Sequence, residues 1–253
     1  MQTARKIPSV IAQLIDLFLI EWTNWRWSWR SMVVVGAAGP VLSILGLGLF
    51  ARDAGPQVLA YVLTGNMVIS LMLGNMSSVE NHFSFMRFQG TLDYFATLPV
   101  RRTTLILAVL VAFFLIHLPA MLITLLLGVL VLRVPLHVHP LLLLVVPLCA
   151  LPLSGIGALI GTRARTPQEG GPICLLMTMV MSGLGPVIAP PERFPTWLNI
   201  LGRINPAVYA ASALRQTLIG PLTAHIWLDL GVLLGVSAII FWLVGRKLDW
   251  RQR

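Results

Sequence analysis

The chain has very little lysine: among its 253 residues only Lys6 and Lys247 are lysines. A P-loop ends its glycine-rich turn in a lysine, whose ammonium holds the β- and γ-phosphates of a nucleotide. Neither lysine follows such a turn. The chain therefore lacks this route to ATP, and we predict that it is not an enzyme and binds no cofactor of its own.

Charged residues are also scarce, at 11% of the chain against 57% hydrophobic residues. A soluble domain has about 25% charged residues, and the mean hydropathy here is +0.85. This composition predicts an integral membrane protein. Cys149 and Cys174 both fall in apolar stretches, where a free thiol packs as a small hydrophobic group, so no disulfide is expected.

Motifs for metal-dependent or covalent catalysis are missing too. No His-Glu-x-x-His sequence occurs, and neither Ser154 nor Ser182 has the Gly-x-Ser-Gly setting of an intramembrane serine protease. His137 and His139 lie close together without a nearby cysteine or carboxylate, which makes a poor zinc site. We predict no catalytic residue and no metal site.

Long apolar runs dominate what is present. A helix needs about 20 apolar residues to cross a bilayer, and long runs without strand-like alternation favour helices over a barrel. We predict one all-α transmembrane domain over residues 1–253 with six transmembrane helices, and Gly157-xxx-Gly161 predicts a helix-packing contact. The six runs are residues 32–50, 57–79, 103–132, 140–161, 171–189 and 225–245.

The distribution of basic residues predicts the topology. With a cytoplasmic N-terminus, 13 of the 18 lysines and arginines lie in inner segments and five in outer ones. That bias follows the positive-inside rule and puts both termini in the cytoplasm. It explains the net charge of +9 without nucleic acid, for which no separate basic and aromatic patch is present.

The N-terminal segment, residues 1–30, has an amphipathic pattern. Apolar residues recur with a helical period over residues 7–29, and four tryptophans lie between Trp22 and Trp29. Tryptophan is enriched at membrane interfaces, which favours an interfacial amphipathic helix on the inner leaflet. The alternative is that this segment begins the first span.

His117 is the one ionisable residue deep within a predicted span. Ion-coupled carriers place such residues at mid-membrane, so a proton relay is one interpretation. The other is that His117 satisfies backbone groups that the nearby Pro119 frees.

Two connections are longer than a turn requires. Residues 81–102 are predicted to lie in the cytoplasm and to form a short amphipathic helix, which either docks on a soluble protein or lies on the membrane. Residues 190–224 are too polar to span a membrane and too apolar for a free loop, so an outer re-entrant helical hairpin is predicted.

The first connection contains "GTLDYFATLPVRR" (90–102). It resembles the signature between the second and third spans of ABC-transporter permeases of the type V kind, which export drugs, lipids or polysaccharides. The acid that often precedes the glycine in that family is absent, and Phe88 and Gln89 stand there. The residues that match are Arg87, Gly90, Thr91, Leu92, Asp93, Leu98, Pro99 and Arg101.

The second connection contains "FPTWLNILGRINPAVYAASALRQTLIG" (194–220), which is similar to the outer segment of the same family. An acid commonly found shortly before the arginine is replaced by Ser212 or its neighbours. The residues that match are Pro195, Trp197, Asn205, Pro206, Tyr209 and Arg215.

The resemblance implies a permease subunit of an ATP-driven exporter in a bacterial plasma membrane. Its implied partners are a second permease chain, preferably an identical copy, membrane lipid, and two cytoplasmic ATP-binding-cassette ATPases that bind ATP and Mg²⁺. A cytoplasmic coupling helix would carry ATPase movement to the spans. The implied coupling residues are Arg87, Phe88, Gly90, Thr91, Leu92, Asp93, Leu98 and Pro99.

In that family the second and fifth spans face across the dimer. Those spans carry no acidic residue here, so an apolar or amphiphilic substrate such as a drug-like compound or a lipid is expected, with a glycolipid or polysaccharide as the alternative. A non-transporting scaffold or sensor is a further alternative. Candidates for the translocation path, which helix packing explains equally well, are Asn66, Ser70, Ser77, Met177, Met181 and Ser182.

Overall fold

The computed structural model describes residues 9–25, 27–51, 55–97 and 101–247. All regular secondary structure within these ranges is helical. A π-helical turn, Met72–Met76, joins the third and fourth α-helices, and a 3-10 turn, Pro191–Arg193, precedes the ninth. The α-helices of the described ranges are α1 (Val10–Trp25), α2 (Trp29–Ala51), α3 (Pro56–Leu71), α4 (Ser77–Phe88), α5 (Thr91–Thr97), α6 (Arg102–Leu132), α7 (Leu142–Gly161), α8 (Pro167–Gly183), α9 (Thr196–Gly202), α10 (Pro206–Leu218) and α11 (His225–Lys247).

Five helical stretches in the described ranges are long and apolar enough to cross a membrane. The predicted all-helical membrane domain is confirmed at this level. The run at 171–189 forms α8, whose helix has only 17 residues and ends at Gly183, so the count of six spans stays a prediction. The five stretches are Trp29–Gly48, Pro56–Phe88, Arg102–Leu132, Leu142–Gly161 and His225–Arg246.

Helix α1 runs parallel to the first part of α6. The backbone N–H of Arg101 donates to Oε1 of Gln13 at 3.4 Å, and the rings of Trp25 and Phe113 have centroids 5.6 Å apart. In each pair the two residues are 88 positions apart along the chain, so the two helices keep one register over this length. A turn that includes Trp27 separates α1 from α2, so the two do not form one helix. The interfacial position of α1 concerns a bilayer and stays a prediction.

Helix α4 packs tightly against α7, and glycines make the approach possible. A Cβ atom on Gly157 would overlap the carbonyl oxygen of Met76, and one on Gly161 would overlap that of Glu80. The predicted packing role of Gly157-xxx-Gly161 is therefore confirmed. On another side of α4, the Glu80 carboxylate occupies the space that a side chain at Gly170 of α8 would need.

His117 contacts a side chain and not the backbone near Pro119. Its Nε2 lies 2.8 Å from the Ser78 hydroxyl oxygen, and its Nδ1 has no hydrogen-bond partner among the described residues. The ring fills the space beside Gly74, where an added Cβ would come within 2.8 Å of Nδ1. The interpretation that His117 satisfies backbone groups freed by the proline is therefore wrong.

A pair of glycine-to-alanine substitutions tests the packing of α4 on α7. We expect Gly157→Ala to lower the stability by about 1–3 kcal/mol, because its methyl group overlaps backbone that cannot move independently of α4. Gly231→Ala is the matched control: it lies in α11 with open space around its Cβ position, and should stabilise by about 0.5–1 kcal/mol. Thermal unfolding of both variants in detergent measures the difference. Equal melting temperatures would contradict the close approach.

Candidate functional site

The C-terminal ends of α4 and α7 meet at one end of the bundle, which we call the inner end after the predicted topology. Nη1 of Arg87, in the last turn of α4, donates to the carbonyl oxygen of Thr162 at 2.5 Å. Thr162 caps the C-terminus of α7, where the last carbonyl groups lack helical partners and attract a cation. The predicted coupling residue Arg87 thus ties two long helices together.

A left-handed glycine separates α4 from α5 at the inner end. Gly90 has φ +71°, a conformation that costs other residues about 1–2 kcal/mol. Its N–H donates to the Arg87 carbonyl at 3.1 Å, and its own carbonyl accepts from the N–H of Asp93 at 3.0 Å. Asp93 lies in the first turn of α5, where its charge is favourable for the helix. The predicted Gly-Thr-Leu-acid motif therefore forms a turn and a helix start.

Helix α5 has one anchored face and one open face. Leu92 is buried in a cluster with Phe83 and Leu105. By contrast, Phe88 just before the turn is 60% exposed and Tyr94 is 63% exposed. Exposed aromatic side chains of this kind are enriched at protein interfaces. The predicted residues Leu98 and Pro99 lie outside the described residues.

The candidate path residues of α3 and α4 face other helices of the same chain. Asn66 is fully buried and its Nδ2 donates to the Val62 carbonyl at 2.8 Å. The Ser70 hydroxyl, also buried, donates to the Gly36 carbonyl of α2 at 3.1 Å. Ser77 is half-buried. The bond of Asn66 lies within α3, and that of Ser70 joins α3 to α2. A role of the three residues in transport stays a prediction.

The candidate path residues of α8 differ in exposure. Met181 is buried, Ser182 is half-buried with its hydroxyl donating to the Met179 carbonyl at 3.0 Å, and Met177 is 40% exposed. On the α4 side of the helix, the Sγ of Cys174 lies 3.7 Å from the Ser77 hydroxyl oxygen. Helix α8 thus packs on α4 with one face and leaves an apolar face that includes Met177 uncovered.

Asn205 connects the end of α8 to the start of α10. Its Nδ2 donates to the carbonyl of Met181 at 2.6 Å and to that of Leu184 at 2.7 Å. Its Oδ1 accepts from the N–H of Ala207 at 3.0 Å, which caps α10. Pro206 occupies the first helical position, where its missing N–H costs nothing. The Asn-Pro pair of the predicted outer segment therefore has a structural role.

Arg215 and Tyr61 join α10 to α3. The Arg215 guanidinium carbon lies 3.4 Å from the centroid of the Tyr61 ring, a cation–π contact. Burial lowers the pKa of Arg215. Nearby, Nε2 of Gln216 donates to Oδ2 of Asp229 at 2.9 Å, which connects α10 to α11.

Two further residues of the predicted outer segment differ in their contacts. The Tyr209 hydroxyl donates to the Arg203 carbonyl at 2.7 Å, whereas Trp197 is 62% exposed. The helices α9 and α10 occupy the region predicted as an outer hairpin. Its re-entrant position in a membrane stays a prediction.

A polar pair between α1 and α4 belongs to none of the predicted sites. Oε1 of Glu21 lies 3.2 Å from Nε2 of His82, and both side chains are largely buried. A signal was available, because Glu21 lies four residues after Leu17 and four before Trp25 and so belongs to the apolar face of α1. An acidic residue on the apolar face of a helix indicates either a buried polar partner or a binding site.

The fold and the inner-end geometry define a multi-pass membrane domain. The family described as ABC-2 type transporter matches residues 12–219, and the chain belongs to this family. It is thus a permease domain of an ABC transporter, a membrane transport domain and not a P-loop ATPase, and such domains work with ATP-binding-cassette partners. No curated protein matches the chain.

The three hydrogen bonds of Asn205 yield a stability prediction. We expect Asn205→Ala to destabilise the protein by at least about 2 kcal/mol, because α10 loses its cap and two carbonyl groups lose their donor. Asn199→Ala is the control, since Asn199 is half-exposed and its best bond is one 2.9 Å contact to the Pro191 carbonyl. It should cost about 1 kcal/mol. Thermal unfolding in detergent compares them, and equal losses would contradict the role of Asn205.

Proposed function

We propose that this chain is the permease subunit of an ATP-driven exporter of the type V kind, in a bacterial plasma membrane with both termini in the cytoplasm. It crosses the membrane six times, with α8 as the fifth span. Two such chains, identical in the simplest assembly, sit on two ATP-binding-cassette ATPases. The substrate class is an apolar or amphiphilic compound, such as a drug-like molecule or a lipid.

The observation that carries the proposal is the asymmetry of α5. Its inward residue Leu92 is anchored in the core, while Phe88 and Tyr94 on either side of the Gly90 turn are exposed. A helix that is fixed on one side and presents aromatic rings on the other suits docking in a groove of a soluble partner. In this proposal the partner is the ATPase, and α5 is the coupling helix.

Movement of α5 has two routes into the spans. One runs through the apolar cluster that Leu92 shares with Leu105 in the first turn of α6. The other runs through Arg87 at the end of α4 to the Thr162 carbonyl at the end of α7. ATP binding can shift the permease between two states only through contacts that differ between those states, and in this proposal the contacts that change are those between α5 and the ATPase.

The uncovered face of α8 is where the second permease chain and the substrate would meet. Leu176 and Met179 are each more than 60% exposed, and Met177 is 40% exposed. Methionine adapts to varied apolar shapes. A path between two such faces would favour an apolar or amphiphilic substrate over a sugar polymer.

The coupling role is tested by charge reversal at α5. With the partner ATPase co-expressed and the pair reconstituted in lipid, we expect Asp93→Arg to abolish the stimulation of ATPase activity by the permease. Glu192→Arg, an exposed acid in the 3-10 turn before α9, is the control and should leave the stimulation unchanged. If Asp93→Arg stimulates like the wild type, α5 is not the coupling helix. If no ATPase co-purifies with the wild-type chain, the chain is a scaffold or sensor.

The Gly90 turn offers a second test of the same role. Gly90→Ala and Gly55→Ala both put a methyl group on a residue with positive φ, +71° and +88°, where no described atom lies closer than 3.9 Å. Gly90→Ala should cost about 1–2 kcal/mol. Gly55→Ala should cost about 1–3 kcal/mol, because with ψ 161° it lies in a region essentially confined to glycine. Only Gly90→Ala should weaken ATPase stimulation, because it alone redirects α5. Equal stimulation in both variants would separate the turn from coupling.

A further inference from the structure

A cavity of about 510 Å³ lies between α1, α4 and α5 at the inner end. Its volume is within the range of about 300–1,000 Å³ that ligand sites occupy. It is distinct from the uncovered face of α8. Six of the residues that line it are Glu21, Trp25, His82, Phe85, Gln89 and Phe95.

One wall of the cavity carries a buried carboxylate with a free oxygen. Glu21 is 4% exposed. Its Oε1 lies 3.2 Å from Nε2 of His82, an ion pair when His82 is protonated, although no hydrogen bond joins the two atoms. Its Oε2 has no hydrogen-bond partner among the described residues. A buried charged oxygen without a partner is costly, and a ligand that supplies a cation would offset that cost.

The remaining lining suits a cation with an apolar body. Trp25, Phe85 and Phe95 contribute aromatic rings, and Ile20 and Met86 contribute aliphatic surface. Among the described lining residues none is lysine or arginine, although the chain has a net charge of +9. Aromatic rings beside a carboxylate are the chemistry that recognises alkylammonium groups.

We propose that this cavity binds a single-chain amphiphile by its alkylammonium headgroup. The cation faces Oε2 of Glu21 and the ring of Trp25, and the chain leaves past the exposed residues Ile20 and Phe85. The negative charge that complements the headgroup is that of Glu21 in α1. The second and fifth predicted spans contain no acidic residue that could take this role. The site goes beyond the proposed transport function: although α5 forms one of its walls, binding there requires neither the ATPase nor the uncovered face of α8.

Binding to the purified chain, with no ATPase present, tests the site. Native mass spectrometry from maltoside micelles counts bound dodecyltrimethylammonium, with the neutral dodecyldimethylphosphine oxide as the comparison of equal chain length. We expect one cation per chain and an affinity for the neutral amphiphile at least about tenfold weaker, or about 1.4 kcal/mol. Tetramethylammonium, the headgroup without a chain, should bind more weakly than the amphiphile.

Two substitutions assign the binding to the cavity. Glu21→Gln should weaken binding of dodecyltrimethylammonium at least about tenfold, and Asp16→Asn, an exposed carboxylate on the same helix outside the cavity, should not change it. Phe85 is 42% exposed, so Phe85→Ala should weaken binding without loss of folding. This variant provides an independent test if Glu21→Gln misfolds. Equal binding of the charged and neutral amphiphiles, or wild-type affinity in both Glu21→Gln and Phe85→Ala, would overturn the proposal. Tetramethylammonium binding as tightly as the amphiphile would overturn the amphiphile as occupant.

Discussion

The close approach of α4 to α7 and α8 is the contact on which the rest of the structure depends. In an apolar surrounding, helices gain little from hydrophobic burial and associate through tight packing and polar contacts. Gly157 and Gly161 let the backbone of α7 reach that of α4, and Gly170 makes room for the Glu80 carboxylate. Once α4 is fixed in this way, Arg87 reaches the Thr162 carbonyl. The direction of α5 then follows from the left-handed conformation of Gly90 after α4.

Much of this arrangement is visible in the sequence. Apolar runs locate the long helices because a bilayer-spanning backbone must satisfy its own hydrogen bonds. The glycine of Gly-Thr-Leu-Asp locates the turn before α5, and the Asn-Pro pair locates the start of α10, since both rest on local backbone chemistry. Composition could not reveal that α8 stops at Gly183, or that a π-helical turn interrupts the second long stretch at Met72–Met76, because those depend on contacts between distant segments.

Side-chain contacts between distant segments were equally hard to predict from the sequence. Arg87 was found through a motif, but its acceptor, the Thr162 carbonyl, lies 75 positions away. Glu21 and His82 are 61 positions apart, and neither belongs to a motif. For Asn66 and Ser70 the sequence offered a path and a packing role with equal weight, and of their hydrogen bonds that of Asn66 lies within α3 and that of Ser70 joins α3 to α2. Local sequence motifs thus predicted turns and helix caps. The partners of the buried polar groups became known only from the folded structure.

The constant register of α1 on α6 has a consequence for biosynthesis. Both α1 and α2 find their main contacts on α6: Gly36 faces Ala120 and Gly48 faces Leu132. A ribosome makes the first two helices long before it reaches Phe113 or Leu132. Until then, Trp25 of α1 lacks its contact with Phe113, although His82 of α4, which also lies beside it, has already been made. The N-terminal quarter of the protein therefore completes its packing only after α6 has been made, because Phe113 and Leu132 supply contacts for the first two helices.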